Sequence, residues 1–341
     1  MKLPAAFDRF RSDIDLEIRS VLAERQPPLY DMMRYHLGWI DAGGHPLSNP
    51  AGKALRPTLC LVACEAVGEA YRKALPAAAA LELVHNFSLI HDDIQDDDRE
   101  RRHRPTVWAI WGKPQAINAG TAMRILASVS LSRLSEIGVP GEKRLRAQRV
   151  FDESSLRLIE GQYLDISYEN RLDIGVAEYL EMIDGKTAAL LACSLELGAL
   201  MGTDDEAVIA ALRSFGRNLG LAFQIRDDIL GIWGDEKETG KPLASDIRRR
   251  KKSLPIVYAL ERVTGEARAK LLSIYRKEAI DDEDTLTVLG ILNDIDVQQY
   301  GQGLAAMYCC RAYDDIKGLT LVPAARRDLE EIAKFLVERN F

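Results

Sequence analysis

Eight residues, His91-Asp92-Asp93-Ile94-Gln95-Asp96-Asp97-Asp98, gather five carboxylates, and Arg99-Glu100-Arg101-Arg102-His103-Arg104-Pro105 follows at once. Far along the chain the order repeats. Gln224-Ile225-Arg226-Asp227-Asp228-Ile229-Leu230 precedes Gly240-Lys241, Asp246 and the run Arg248-Arg249-Arg250-Lys251-Lys252. Carboxylates collect hard cations such as Mg²⁺, and Lys and Arg hold phosphate oxygens. Acid beside base therefore suits a metal-bound diphosphate. Asp92 and Asp96 stand four apart, which on a helix places them on one face one turn from each other. Asp93 and Asp97 form a second such pair. Like charges at that spacing weaken a helix, and a divalent cation between them removes the cost. The competing meaning is a solvated acidic helix end, the commoner sense of such a run. Against it stand the apolar stripe that leads into the aspartates and the arginines that follow them.

The elements that must position these groups read as helices. Leu81, Val84, Phe87, Ser88 and His91 recur at helical spacing before the first cluster, and Phe215, Leu219, Ala222, Phe223 and Arg226 do so before the second. Pro323 opens a further segment carrying Leu329, Ile332, Phe335 and Leu336. Breaks are expected at Gly43-Gly44-His45-Pro46, around Gly138-Val139-Pro140-Gly141, from Gly234 to Pro242 and at Asp281-Asp282-Glu283-Asp284. These breaks are short, and no alternating strand or tandem repeat stands out. The expectation is one all-α domain over residues 1–341.

The chain has 341 residues, enough to bury a sizeable core. Its formal charge of −7 argues against a nucleic-acid binder. Cys60, Cys64, Cys193, Cys309 and Cys310 form no CxxC pair, so neither a disulfide framework nor a zinc site is expected. The opening Met1-Lys2-Leu3-Pro4 does not begin a signal peptide, and no apolar run spans a bilayer. The expected location is the cytoplasm.

His85 to Thr106, from His-Asn-Phe-Ser-Leu-Ile-His-Asp-Asp-Ile-Gln-Asp to Arg-Arg-His-Arg-Pro-Thr, resembles the first aspartate-rich motif of the trans-isoprenyl diphosphate synthases, or polyprenyl synthetases. Gly52-Lys53-Ala54-Leu55-Arg56-Pro57, Gly161-Gln162 with Asp165, Lys186-Thr187 and Lys251-Lys252-Ser253-Leu254-Pro255 resemble further motifs of that family. The likeness runs from about Gly52 to Leu260, and it is closest to geranylgeranyl diphosphate synthases. It implies a helical bundle of the isoprenoid-synthase type around a central cavity. It also implies catalytic roles for Asp92, Asp93, Asp96, Lys186, Asp227 and Lys241. Asp92, Asp96 and Asp227 would ligate Mg²⁺, three ions being expected with diphosphate bound. Lys53, Arg56, His85 and Arg102 would hold isopentenyl diphosphate. Arg101, Lys186, Thr187, Gln224, Lys241 and Lys251 would face an allylic diphosphate, and a homodimer is implied.

The implied chemistry is ionisation of the allylic diphosphate, attack by the double bond of isopentenyl diphosphate, and proton loss to the departing diphosphate. Phe87 and Ser88, just below Asp92, would set product length, pointing to a linear all-trans C20 product with C15 as the second reading. Two departures from the family pattern stand out. His103 replaces the glycine of Arg-Arg-Gly, and Gly231 replaces the third aspartate of the second motif, leaving Asp227 without its i, i+4 partner and Asp228 in support. Three rivals are a terpene cyclase of the same fold needing no isopentenyl diphosphate, a silent partner subunit, and a nucleic-acid binder resting on the Arg248 run. Asp281-Asp282 and Asp314-Asp315 read as surface or capping pairs.

Overall fold

The computed structural model describes residues 3–26, 28–47, 52–234 and 243–338. Helix α1 (Ala5–Leu22) buries Phe7, Phe10, Ile14, Ile18 and Val21 along one stripe, with Asp8 in its first turn and Arg19 in its last, each of the sign the helix dipole favours. Helices α2 (Pro28–His36) and α3 (Leu55–Ala66) lead to α4 (Leu75–Gln95), which carries the first acidic cluster at its end. Ala77 to Val84 are all buried, so small residues let neighbouring helices approach α4 on every side.

A two-residue hairpin follows, β1 (Glu100–Arg101) against β2 (Arg104–Pro105), with Arg101 opposite Arg104. Next come α5 (Val107–Trp111), α6 (Lys113–Ser132), α7 (Gly141–Tyr168) and α8 (Val176–Ile183). A π-helical turn, Asp184–Ala188, joins α8 to α9 (Ala189–Gly202). Helix α9 is buried at every position from Ala189 to Met201, the pattern of a helix enclosed by others.

Asp205 starts α10 (Glu206–Trp233) by accepting from the backbone N–H of Ala207 at 2.9 Å and of Val208 at 3.3 Å. The chain ends with α11 (Ser245–Arg248), α12 (Leu254–Arg262), α13 (Gly265–Tyr275), α14 (Asp282–Asp294), α15 (Val297–Lys317) and α16 (Pro323–Glu338). Three apolar clusters hold these helices, and α10 contributes to all of them through Leu219, Ile225 and Ile232. A helix anchored along its whole length is a rigid carrier for Asp227 and Asp228. The fold is all-α, as the periodicity predicts.

The expected break at 43–46 lies outside any helix, and the one around 138–141 is turn and loop as far as Gly141, which opens α7. Residues 235–242, and Lys241 with them, lie outside the described residues. Asp281 is a cap, in a reciprocal box with Asp284. Asp315 instead accepts from Asn218 Nδ2 at 2.7 Å, tying α15 to α10. One expectation fails. Helix α4 stops at Gln95, and Asp97 takes a left-handed φ of 52°, so Asp93 and Asp97 share no helix face. Asp97 turns outward to pair with Lys113, whereas Asp93 is 1% exposed.

Candidate active site

Helix α4 carries two sets of groups about ten residues apart, hence roughly 15 Å along its axis. Its middle turns present Glu82 and His85 to a cavity of about 570 Å³ that Lys53, Arg56, Arg102 and Phe335 also line. The four residues implied to hold isopentenyl diphosphate therefore converge. The loop before α3 makes this possible, because Gly52 holds φ +88° and a Cβ there would sit 3.0 Å from the Arg102 guanidinium. Only glycine suits both conditions.

Charge in this cavity is arranged by burial. Arg56 is brought down to about 10 by desolvation, with Glu82 opposing that shift, and so stays cationic at neutral pH. Burial, with Arg56 and Arg102 close by, holds His85 well below the ordinary histidine value. Its imidazole is neutral and serves a diphosphate as a hydrogen-bonding group rather than as a charge. Nothing in the sequence pattern points to Glu82. It is buried, accepts from Asn86 Nδ2 at 3.1 Å and supplies countercharge to Arg56 and Arg102. Its position within an apolar stretch of α4 gave no signal.

At its end α4 presents Asp92 and Asp96. Burial raises Asp92 to about 6, with Lys186 lowering and Asp96 raising it. Asp96 is raised by burial too, against Lys186 and Lys251. Lys186 reaches this cluster because it sits in the π-helical turn, a distortion often found at functional sites. It forms an ion pair with Asp165 of α7. The turn is pressed onto α7 so closely that a Cβ at Gly161 would lie 2.8 Å from Lys186 Cα. Gln162 donates to Gln95 Oε1 at 3.0 Å, adding a polar tie between α7 and the end of α4.

Around α10 the sequence-derived residues divide into two kinds. Thr187 Oγ1 donates to Gln224 Oε1 at 2.7 Å, and Gln224 Nε2 donates to Asp228 Oδ1 at 2.8 Å. Asp228 also accepts from Tyr179 Oη at 2.7 Å and from the Leu254 backbone N–H at 2.9 Å. With three donors and 7% exposure it is a strut of the fold, raised to about 7 chiefly by burial and then by Asp246. Asp227, by contrast, is exposed.

Gly231 is explained by packing. A Cβ there would lie within 2.6 Å of the Asp246 carboxyl carbon. Asp246, itself buried, fills the space a third aspartate would need.

Asp93 serves Arg101, accepting from its Nε at 2.7 Å. It therefore orients an arginine rather than adding to the Asp92–Asp96 face. The Arg248–Lys252 run is mostly consumed within the fold. Arg248 pairs with Asp282, Arg249 with Asp98, Arg250 Nη2 donates to the Tyr275 carbonyl at 3.0 Å, and Lys252 Nζ to the Glu169 carbonyl at 2.8 Å. A nucleic-acid strip would leave these cations for phosphate. Arg249–Asp98 instead joins the two acid-and-base clusters of the sequence. Phe87 is buried with its ring edge-on to His91 at 5.4 Å, and Ser88 Oγ donates to the His85 carbonyl at 2.8 Å.

The donor set suits Mg²⁺ bound with diphosphate. Two neighbouring carboxylates held above their ordinary range gain most from a cation that takes the proton's place. Among the described residues no three metal-ligating side chains converge. Any ion here would draw its remaining ligands from water and phosphate, the habit of Mg²⁺.

Residues 38–292 match the family model for polyprenyl synthetases. The (2E,6E)-farnesyl diphosphate synthase of Mycobacterium tuberculosis is 38% identical over 326 residues, 95% of this chain and 89% of that protein. The geranylgeranyl diphosphate synthase of Saccharolobus solfataricus is 35% identical, over 96% of this chain and 98% of its own. The crystal structure of a polyprenyl synthetase from Streptomyces coelicolor A3(2) superimposes with a TM-score of 0.89 at 38% identity, covering 98% of this chain and 99% of that one. Family model, relatives and fold agree, and the chain belongs to the polyprenyl synthetase family, as a trans-prenyltransferase.

Proposed function

We propose that the protein condenses isopentenyl diphosphate with an allylic diphosphate to a linear all-trans prenyl diphosphate, C20 in its main product and C15 as the shorter alternative. The observation that carries this is the convergence of Lys53, Arg56, His85 and Arg102 on one cavity. That cavity adjoins, along α4, the Asp92–Asp96 pair with Lys186. Two anion sites on one helix are what a two-diphosphate condensation needs. A cyclase acting on one prenyl diphosphate has no use for the first. Gly231, the only feature favouring a cyclase, has its reason in Asp246.

In this reading Asp92, Asp96 and Asp227 hold Mg²⁺ with the allylic diphosphate. When bound there, Mg²⁺ would supply positive charge against the charge developing on the leaving group. Lys186, Thr187, Arg101, Gln224, Lys251 and Lys241 grip the same diphosphate, stabilising it as the C–O bond breaks. Neutral His85 and the three cations keep the isopentenyl double bond against the allylic carbon. The released diphosphate takes the proton, and the helical walls keep water from the cation. Phe87 closes the cavity below Asp92, with Ser88 leaving room beside it. The enzyme works in the cytoplasm as a homodimer, a reading supported by the apolar side chains Leu156, Ile159 and Tyr163 that α7 leaves exposed. No helix among the described residues is long and apolar enough to cross a membrane.

The test supplies purified protein with Mg²⁺, labelled isopentenyl diphosphate and allylic diphosphates of five, ten and fifteen carbons. Incorporation of label into a C20 chain is expected. Hydrocarbons from the allylic substrate alone, with no label taken up, would overturn the proposal.

A further inference from the structure

The arginine hairpin is held from two sides. On its outer strand Tyr35 Oη donates to the Pro105 carbonyl at 2.7 Å, and Arg104 donates to the carbonyls of Tyr35 at 3.2 Å and Ile40 at 2.9 Å. On its inner side a small cavity of about 30 Å³ is lined by His36, Asp93, Arg101, Arg102 and Arg104. Two atoms of these lining residues are sealed from solvent and have no hydrogen-bond partner, His36 Nε2 and Asp93 Oδ2. Buried polar atoms are rarely left so, because an unmet one forfeits the hydrogen bond it had with water.

Their donor and acceptor roles can be worked out. Asn86 Nδ2 is engaged with Glu82, so its carbonyl oxygen is what remains to bond the His36 ring. That bond takes the imidazole N–H at the other ring nitrogen and leaves Nε2 an acceptor. Burial and the neighbouring Arg102 and Arg101 hold His36 down to about 3, so the ring is neutral. Asp93 Oδ2 belongs to a carboxylate paired through Oδ1 with Arg101 and is an acceptor too. Two acceptors cannot bond each other, but a water has two hydrogens. Its oxygen can in turn accept from an arginine N–H, and the volume admits one molecule.

We infer that His36 is a positioning residue for the diphosphate-binding arginines, acting through a single buried water that bridges its Nε2 to Asp93 Oδ2. The water fixes Asp93, Asp93 fixes Arg101, and the hairpin then sets Arg102 in the neighbouring cavity. The inference rests on the proposed function only for what the arginines bind.

The experiment compares wild type with His36→Leu, which removes the acceptor, and His36→Gln, which keeps one. Three quantities are read: Kd for inorganic pyrophosphate, KM for isopentenyl diphosphate against kcat, and melting temperature. H36L should weaken pyrophosphate and raise KM about tenfold, the worth of one hydrogen bond, while H36Q stays within about threefold of wild type. A crystal structure of the wild type should show a water bonded to both atoms. H36L binding pyrophosphate as wild type does, both variants impaired alike, or a cavity holding no water would each overturn the inference. If H36L does not fold, the wild-type crystal structure decides alone. Wild type that binds pyrophosphate yet incorporates no isopentenyl units would sink the proposed function and leave this inference to the binding and crystal arms.

Discussion

Arg102 is the residue on which the cavity and the hairpin meet. It stands at a left-handed φ of 53°, with His103 at 60°, the φ pattern of a two-residue type I′ turn. Such turns favour glycine or asparagine, which accounts for the family's glycine where this chain has His103. Arg102→Ala should remove a charge-assisted contact worth on the order of 2 kcal/mol, raising KM for isopentenyl diphosphate about thirtyfold. Ionisation of the allylic substrate should continue, so steady-state KM measured separately for each substrate checks the assignment. An equal loss for both substrates would count against it. Gly231 offers a second test at this scale. Restoring the family's aspartate, Gly231→Asp, drives a carboxyl into Asp246 beside buried Asp228. A loss on the order of 2 kcal/mol is expected, read as a lower melting temperature. A variant as stable as wild type would show that Asp246 moves freely and does not explain the glycine.

At the scale of elements, the joint between the C-terminus of α7 and the start of α12 is made by Lys252. Its side chain is 5% exposed, donates to the carbonyls of Glu169 at 2.8 Å and Arg250 at 3.4 Å, and lies 5.0 Å from the Tyr275 ring centre. Burial, and then Arg250, lower it to about 8. The unfolded chain therefore binds more protons than the folded one between about pH 8 and the ordinary lysine value of 10.5. Stability contributed by this group rises with pH across that window, with a slope of at most about 1.4 kcal/mol per unit. Lys252→Met removes the titration. Urea unfolding of both proteins at pH 7.5, 9 and 10 should show the difference moving in favour of wild type as pH rises. A difference that is flat with pH would mean that the ammonium is solvated. None of this was legible in the run of five basic residues, where Lys252 looks like its neighbours. Only the packing of α7 and α13 against it buries one cation and leaves Lys251 beside it exposed and near Asp96.

Across the whole molecule, what could be read in advance was what depends on local spacing. Asp92 and Asp96 share a face because α4 runs to Gln95, and the apolar stripe before them says so. The end of that helix is set by one left-handed residue, Asp97, which no periodicity announces. The π-helical turn under Lys186, Glu82 among the cations and His36 below the hairpin all depend on groups far away in sequence. The same distinction applies to surfaces. Helices α6 and α7 expose Ile117 (49%), Ile125 (61%), Leu156 (56%), Ile159 (47%) and Tyr163 (70%). On α7 the last three are spaced i, i+3, i+7 on one face, a pattern that in a sequence reads as core. Here it faces out, and exposed large apolar residues along one helix face mark an interaction surface. A second copy of the chain is the occupant the proposed function supplies, since related by a two-fold axis the strip would cover itself. Ile159→Asp with Tyr163→Asp places two carboxylates on it without touching the cavity of Lys53 and Arg102. Wild type should sediment as a dimer and the double variant as a monomer of unchanged helical content. Equal sedimentation of the two would remove this face from the interface, and a monomeric wild type would remove the dimer.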